Sequence, residues 1–465
     1  MLRHSAAFVR SVFVAAALVG STALVPAATA QTLEEALASA YANNPQLLAS
    51  RAQLRATDER VAQARAGWRP TVTLSGTAGY SRTERQNVAN DPTELQPRTA
   101  TLSVSQPLFR GFRTTYGTQR ARNEVQAERA RMFSVEAQIF LDVATAYLNV
   151  LRDAAVLELT SSNEAVLTRQ LSATNDRFRV GEVTRTDVSQ AESRVAGARA
   201  DRIAAAGQLQ TSTQAYERLL GASPRGLVAP AIPGGLPTSQ DEAQSAAMAS
   251  NPIVLAAQFD EAASREAIDE VRGELLPSVN LVGELVQQRE VQIGGSQTNI
   301  ARATVQVSVP LYEAGSVYSR VRAQRQTNSQ RQIQIEQQRR VAAESAAVAY
   351  QQLNTARARL VSLAAQIRAT EIALEGVRQE AAVGSRTVLD VLNAEQELLN
   401  AQVSYVRSQR DELVAAYTVL GAVGQLGARQ LQLPVELYDF EANYRDVEGR
   451  WIGTDANTIP PPPRR

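Results

Sequence analysis

Pro70-Thr71-Val72-Thr73-Leu74-Ser75-Gly76 returns 207 residues later as Pro277-Ser278-Val279-Asn280-Leu281-Val282-Gly283. Asn44-Pro45 stands ahead of the first stretch and Asn251-Pro252 ahead of the second, at the same spacing. Downstream, Val104-Ser105-Gln106-Pro107-Leu108-Phe109 matches Val307-Ser308-Val309-Pro310-Leu311-Tyr312 at a spacing of 203. Val180-Gly181-x-x-Thr184-x-x-Asp187, followed by Ala191-Glu192, matches Val383-Gly384-x-x-Thr387-x-x-Asp390, followed by Ala394-Glu395, also at 203. The order never scrambles, so one unit has been duplicated in tandem. The Pro/Gly-rich stretch 222–240 joins the copies.

Between these markers the chain is rich in Ala, Gln, Arg, Glu and Leu, with almost no Gly or Pro. This predicts helices over 32–66, 113–178 and 184–219, then over 241–273, 316–381 and 387–420. Each of the two longest would run about 100 Å at 1.5 Å per residue. Two shorter helices laid end to end cover one long helix, which specifies a rod rather than a compact body. Leu392, Leu399, Val406 and Leu413 recur every seven residues, the stripe of a coiled-coil seam.

The quoted stretches read as strands. Thr71, Thr73, Ser75 and Thr77 alternate with Val72, Leu74, Gly76 and Ala78; Arg302, Thr304, Gln306 and Ser308 alternate with Ala303, Val305, Val307 and Val309. Residues 98–105 and 278–285 repeat the pattern more weakly. Each copy thus carries one hairpin, 70–110 and 277–312, closed by polar loops at 81–97 and 287–300. Such alternation suits a sandwich strand or a barrel strand that is polar inside and lipid-facing outside. A secretory leader and the lack of another large core favour the barrel. Four strands cannot close one, and an open edge cannot lie in lipid, so several protomers must share it.

Composition removes most other chemistry. The 465-residue chain has no Cys, its single His is His4, and all 48 basic residues are Arg. Cys or His metal sites, disulfides, His-based triads and Lys nucleophiles are therefore excluded beyond His4, and no cofactor is expected. The net charge is +1 with charges scattered, so there is no nucleic-acid footprint. Residues 1–30, with Arg3 and Arg10, the apolar run Val12 to Val19 and Ala28-Thr29-Ala30, read as a secretory signal. The same run read as a membrane anchor is too short to span.

With its duplication, hairpin positions and paired tip motifs, the chain resembles the TolC family of outer-membrane channel-tunnels over essentially all of its mature length. The resemblance implies a mainly α fold with a transmembrane β-barrel: a homotrimer in which each protomer gives four strands to one barrel and its helices to a periplasmic tunnel. It implies a signal peptide at 1–30, repeats at 31–221 and 241–421, and a belt around the tunnel built from 222–240 and 422–465, ending in a disordered tail. It implies an exit duct in the outer-membrane lipid, fed by an inner-membrane ABC or RND pump through a periplasmic adaptor and carrying proteins (type I secretion), small toxic compounds, or both. The tail, with Tyr438-Asp439, Tyr444 and Trp451, is similar to the type I secretion branch.

The tip motifs carry two readings. Thr184-x-x-Asp187 and Thr387-x-x-Asp390 resemble helix capping boxes, and Gly181 and Gly384 are natural helix terminators. By resemblance, Thr186, Asp187 and Arg386 match a network that holds the tunnel shut, and Asp390 matches an acidic ring. Asn393 stands where a second ring acid is expected and Ala381 where an aromatic is expected, which implies a weaker latch and a softer cation block. Val180, Gly181, Thr184, Val383, Gly384 and Thr387 match the surface that grips the adaptor. Trp68 suits the membrane interface, whereas Trp451 is expected on the belt. An enzyme and a soluble periplasmic coiled-coil adaptor or scaffold are the competing classes; the first lacks a convergent acid or nucleophile cluster, and the second has no use for lipid-facing strands.

Overall fold

The computed structural model describes residues 31–84, 93–456 and 458–460. The expected leader, residues 85–92 of the first polar loop and the end at 461–465 lie outside the described residues. The first half contains α1 (Leu33–Asn43), α2 (Pro45–Arg65), β1 (Thr71–Ala78), β2 (Ser81–Thr83), β3 (Thr93–Leu95), β4 (Arg98–Arg110), α3 (Arg113–Arg179) and α4 (Arg185–Leu220). The second contains α5 (Gln240–Ser250), α6 (Pro252–Arg272), β5 (Ser278–Arg289), β6 (Gln297–Ser308), α7 (Ser316–Ala382) and α8 (Val388–Ala422), followed by α9 (Ala442–Glu448). The long helices α3 and α7 have 67 residues each, about 100 Å.

The uninterrupted helices predicted over 32–66 and 241–273 are each two helices. The break falls at Asn44 and Asn251, where the following proline bars the α conformation and the backbone turns extended. Each asparagine then serves two helices. The Asn44 side-chain oxygen accepts from the Gln46 N–H at 2.9 Å, while its amide donates to the Leu219 carbonyl at the end of α4, at 3.1 Å. Asn251 accepts from the Ile253 N–H and donates to the Ala422 carbonyl, both at 2.9 Å. One side chain thereby satisfies an orphan donor of one helix and an orphan acceptor of another, splicing α4 to α2 and α8 to α6 end to end. The polar bond of each splice joins segments 175 and 171 residues apart.

The predicted seven-residue seam is shifted. Leu392 and Leu399 are buried, but Val406 and Leu413 are only partly so, and the buried column of α8 is Ala401, Ser408 and Ala415. Of these, Ala415 packs with Ala416 and Val419 against Ala349 and Leu353 of α7. The small side chains at that contact let the antiparallel helices approach closely. At the far end of the rod another close approach depends on glycine: a Cβ on Gly111 would lie 2.2 Å from the Gly273 carbonyl oxygen.

The sheet runs β1-β4-β5-β6, antiparallel throughout. Its register aligns Val72 with Val104, Leu102 with Leu74 and Leu285, Leu281 with Val305 and Val279 with Val307, so these side chains share one face. The opposite face carries Thr73 bonded to Ser103, and Arg302 beside Glu284. Strands β4 and β5 extend past the predicted limits, and part of the predicted loop 81–97 is a small β2–β3 ladder with Arg82 beside Glu94. Two positive-φ residues, Glu290 and Gly295, tighten the second turn, so the predicted loop 287–300 shrinks to 290–296. The outer edges of β1 and β6 have no strand partner among the described residues.

The largest core lies at the middle of α3. Phe140 and Tyr147 pack with Leu37 and Tyr41 of α1 and Tyr216 of α4, with Leu227, Leu236, Leu426 and Leu433 around them. The Tyr147 hydroxyl lies 2.7 Å from both the Gln31 and Val228 carbonyls and accepts from the Val228 N–H. From this waist the C-terminal segment climbs along α2 and α3 over a row of arginines. Arg51 lies over the rings of Tyr41 and Tyr438, and Arg129 over those of Phe440 and Tyr444. Arg65 and Arg122 both pair with Glu448. Trp451 was expected on the belt; instead it is exposed, with the Arg69 guanidinium 5.0 Å from its ring, beside the start of β1. Helix α9 carries the tail that far up the rod.

Candidate functional site

The end of the rod away from the sheet consists of two turns built alike. At the first, the Glu182 N–H donates to the Arg177 carbonyl and the Gly181 N–H to Phe178. At the second, Ser385 donates to Glu380 and Gly384 to Ala381. This double bond pattern closes a helix when the residue after the cap is left-handed, and Gly181 and Gly384 have φ of +83° and +82°. A Cβ at either glycine would meet nothing within 4 Å, so both turns present open backbone. Val180 and Val383 stand exposed beside them at 71% and 81%.

The returning helices start at full capping boxes. The Asp187 carboxylate accepts from the Thr184 N–H at 2.9 Å and hydroxyl at 2.7 Å, and the Asp187 N–H donates back to that hydroxyl. Asp390 does the same with Thr387 at 3.0 and 2.8 Å. The threonine hydroxyl, then its N–H, holds both carboxyls below the usual aspartate range, with Arg386 adding to the effect at Asp390. Thr186 lies exposed in the first turn of α4, and within this chain Asp187 is engaged by Thr184 rather than by Arg386.

The turns differ in charge. Arg386 donates from Nε to Glu380 at 2.8 Å, both side chains about half exposed, and this raises the guanidinium pKa. The first copy carries Arg177 and Val183 at the matching positions, so the pair belongs to the second turn alone. Asn393 lies on the second turn of α8 and accepts from Arg194 Nη2 at 2.7 Å. Behind it Val388 and Leu392 pack against Ala191, Val195 and Leu167. Sequence reasoning named Arg386 and Asn393 but neither Glu380 nor Arg194. Comparing the two copies for charge reversals would have found Glu380; Arg194 has no such signal.

A second functional surface is the sheet face. Val72, Leu74, Leu285, Val305 and Val307 are each more than half exposed in the protomer and, with the less exposed Leu102 and Val104 of β4 between them, form a contiguous apolar patch across four strands. Patches of this kind mark a covered or membrane-embedded surface. No helix among the described residues is long and apolar enough to cross a membrane, which leaves the sheet as the element suited to lipid.

The sequence profile of the family described as outer membrane efflux protein matches residues 36–222 and 243–425. The chain is 33% identical to the outer membrane efflux protein BepC of Brucella suis, over 94% of this chain and 95% of that one. It is 24% identical to the alkaline protease secretion protein AprF of Pseudomonas aeruginosa, over 85% and 84% of the two chains. Among solved structures the Campylobacter jejuni CmeC outer membrane channel superposes with a TM-score of 0.75 at 14% identity, covering 90% of this chain and 89% of that one. With the family profile matching both halves of the duplicated chain, and a relative 33% identical over nearly all of both lengths, the chain belongs to the outer membrane efflux protein family, the TolC-like channels.

Proposed function

We propose that this protein is the outer-membrane exit duct of a tripartite export system. Three copies would close one barrel from twelve strands and one tunnel from their helices, with the sheet in the outer membrane and the rod in the periplasm. The observation that carries this reading is the apolar face of a sheet whose two edges, β1 and β6, lack strand partners among the described residues. In lipid those edges must be paired, and copies of the same sheet can pair them. The finer assignments rest on the tip. Arg386, Asp187 and Thr186 form the latch across protomers, and Asp390 with Asn393 lines the constriction. The exposed Val180 and Val383, with the open backbone at Gly181 and Gly384 and the caps at Thr184 and Thr387, receive the helical hairpin of a periplasmic adaptor that links the duct to an inner-membrane ABC or RND pump. The repeats 31–221 and 241–421 supply rod and barrel, and 222–240 with 422–465 the belt. The names of BepC and AprF together support a cargo of small toxic compounds, secreted proteins, or both.

The test pairs unheated and boiled gel migration of the detergent-purified protein with its conductance in a planar bilayer. A heat-dissociable band near three protomers with small, cation-preferring openings is expected. A monomeric band without conductance would remove the shared barrel and with it the duct.

A further inference from the structure

Resting on the gate reading above, a closed tip requires that the first turns of α8 be held back against the rest of the protomer. The described ion pairs do this within hairpins but not between them. Glu395 pairs with Arg378, tying α8 to its own partner α7. Glu164 takes Arg199 at 3.1 Å and Arg202 at 2.5 Å, tying α4 to its own partner α3. Between α4 and α8 the apolar contact near the tip is thin: Val388 and Leu392 meet Ala191, Val195 and Ala198, with Leu167 behind. Alanines make a smooth seam along which helices can slide. Across that seam runs the Arg194–Asn393 bond, which among the described residues is the one side-chain hydrogen bond from α4 to α8. Any motion that separates the hairpins must break it, while the ion pairs inside each hairpin survive.

The chemistry of the bond suits a reversible brace. Arginine has only donors, so it must meet the amide oxygen of Asn393. A charged donor on a neutral amide is stronger than a neutral pair yet lacks the mutual attraction of two ions. A carboxylate at 393 would turn the brace into an ion pair.

We propose that Arg194 is a gate-positioning residue: through Asn393 it holds the second turn of α8 against α4, and its release lets the tip of the α7–α8 hairpin move away from α3–α4 while the Arg410–Asn149 bond, 2.8 Å and nearer the waist, still joins α8 to α3.

The test is single-channel recording on the full-length protein, with unheated gels confirming intact assembly. Arg194→Ala and Asn393→Ala should each raise open occupancy about tenfold, as expected for losing one charge-assisted bond, and the double variant should add nothing further. Arg194→Lys should restore part of the closed occupancy. Asn393→Asp should lower open occupancy when Arg194 is present and fail to do so in Arg194→Ala, a reversal that mere loosening of the fold does not produce. Arg386→Ala serves as the control on the gate reading itself. If it opens the channel while the Arg194 and Asn393 variants leave occupancy unchanged, or if those variants are additive, this proposal is overturned and the gate reading stands. If Arg386→Ala and the Arg194 and Asn393 variants all leave the closed state intact, both fall.

Discussion

The waist and the tip of the rod are held by opposite means. At the waist, Phe140, Tyr147 and Tyr216 are fully buried, and two carboxylates lie inside the protein, Glu136 there and Asp58 just above it along α2. At the tip the buried side chains are small or aliphatic, the capping boxes are local, and the Arg386–Glu380 pair is half exposed. Opening free energies within one protein range from near zero to the global stability, and moving elements are drawn from the low end. The waist can therefore anchor a long lever whose far end is free to rearrange.

The largest expected effect tests the anchor. Tyr147→Ala should destabilise the protein by about 3–5 kcal/mol through an unfilled cavity, and three polar groups at Gln31 and Val228 lose their shared partner besides. Thermal melting in detergent checks this; a change comparable to that of any exposed tip variant would erase the contrast. Next comes the splice. Asn44→Ala removes a helix cap and orphans the Leu219 carbonyl, which together cost about 2 kcal/mol. Hydrogen exchange should locate the loss at the α4–α2 joint, and protection there equal to that of the parent protein would show the asparagine to be replaceable.

Acid should act on the two regions with opposite sign. Burial raises the carboxyl pKa of Asp58, which faces Asn443, Arg129 and Arg55, and that of Glu136, which faces the Ala428 N–H and Arg51. Groups raised in the folded state favour folding below the ordinary carboxylate pKa and lose that contribution as pH climbs through the folded value. Asp187 and Asp390 are lowered, so their contribution is present above the ordinary value and is lost as pH falls through the folded one. Mild acid should thus raise exchange rates at the tip before the waist; the reverse order would contradict the assignment. The smallest effect on stability belongs to Arg386→Ala and Val383→Arg. Both should leave the melting temperature unchanged, since exposed pairs contribute little. Arg386→Ala should raise conductance and Val383→Arg should abolish capture of the adaptor, and a fall in melting temperature would move the tip into the load-carrying frame.

Much of this was legible in the residues. Period-two alternation in 71–78 and 302–308 foretold which face of the sheet is apolar, because side-chain direction in a strand depends on sequence position alone. Glycine after Val180 and Val383 foretold the turns, since only the left-handed region was needed. What stayed hidden depends on partners distant in sequence. Asn44-Pro45 looked like a repeat marker, and its second role exists only because the end of α4 comes to rest beside it. The seven-residue spacing of Leu392, Leu399, Val406 and Leu413 predicts one seam for α8, whereas the buried column holds Ala401, Ser408 and Ala415, and Ala415 is covered by Ala349 and Leu353 of α7. Arg194 is one arginine among many until α8 is laid against α4.

The bare edges of the sheet also govern how the assembly can form. Strand β1 has eight residues and β6 twelve, and a ring in which β6 of each copy meets β1 of the next uses unlike surfaces at every joint. Head-to-tail joints of this kind leave two free ends until the ring closes. A pair of copies would gain one joint yet expose as much edge as a single copy, whereas the third copy seals two joints at once. Assembly should then be nearly all-or-none, with monomers and closed rings in solution and few species between.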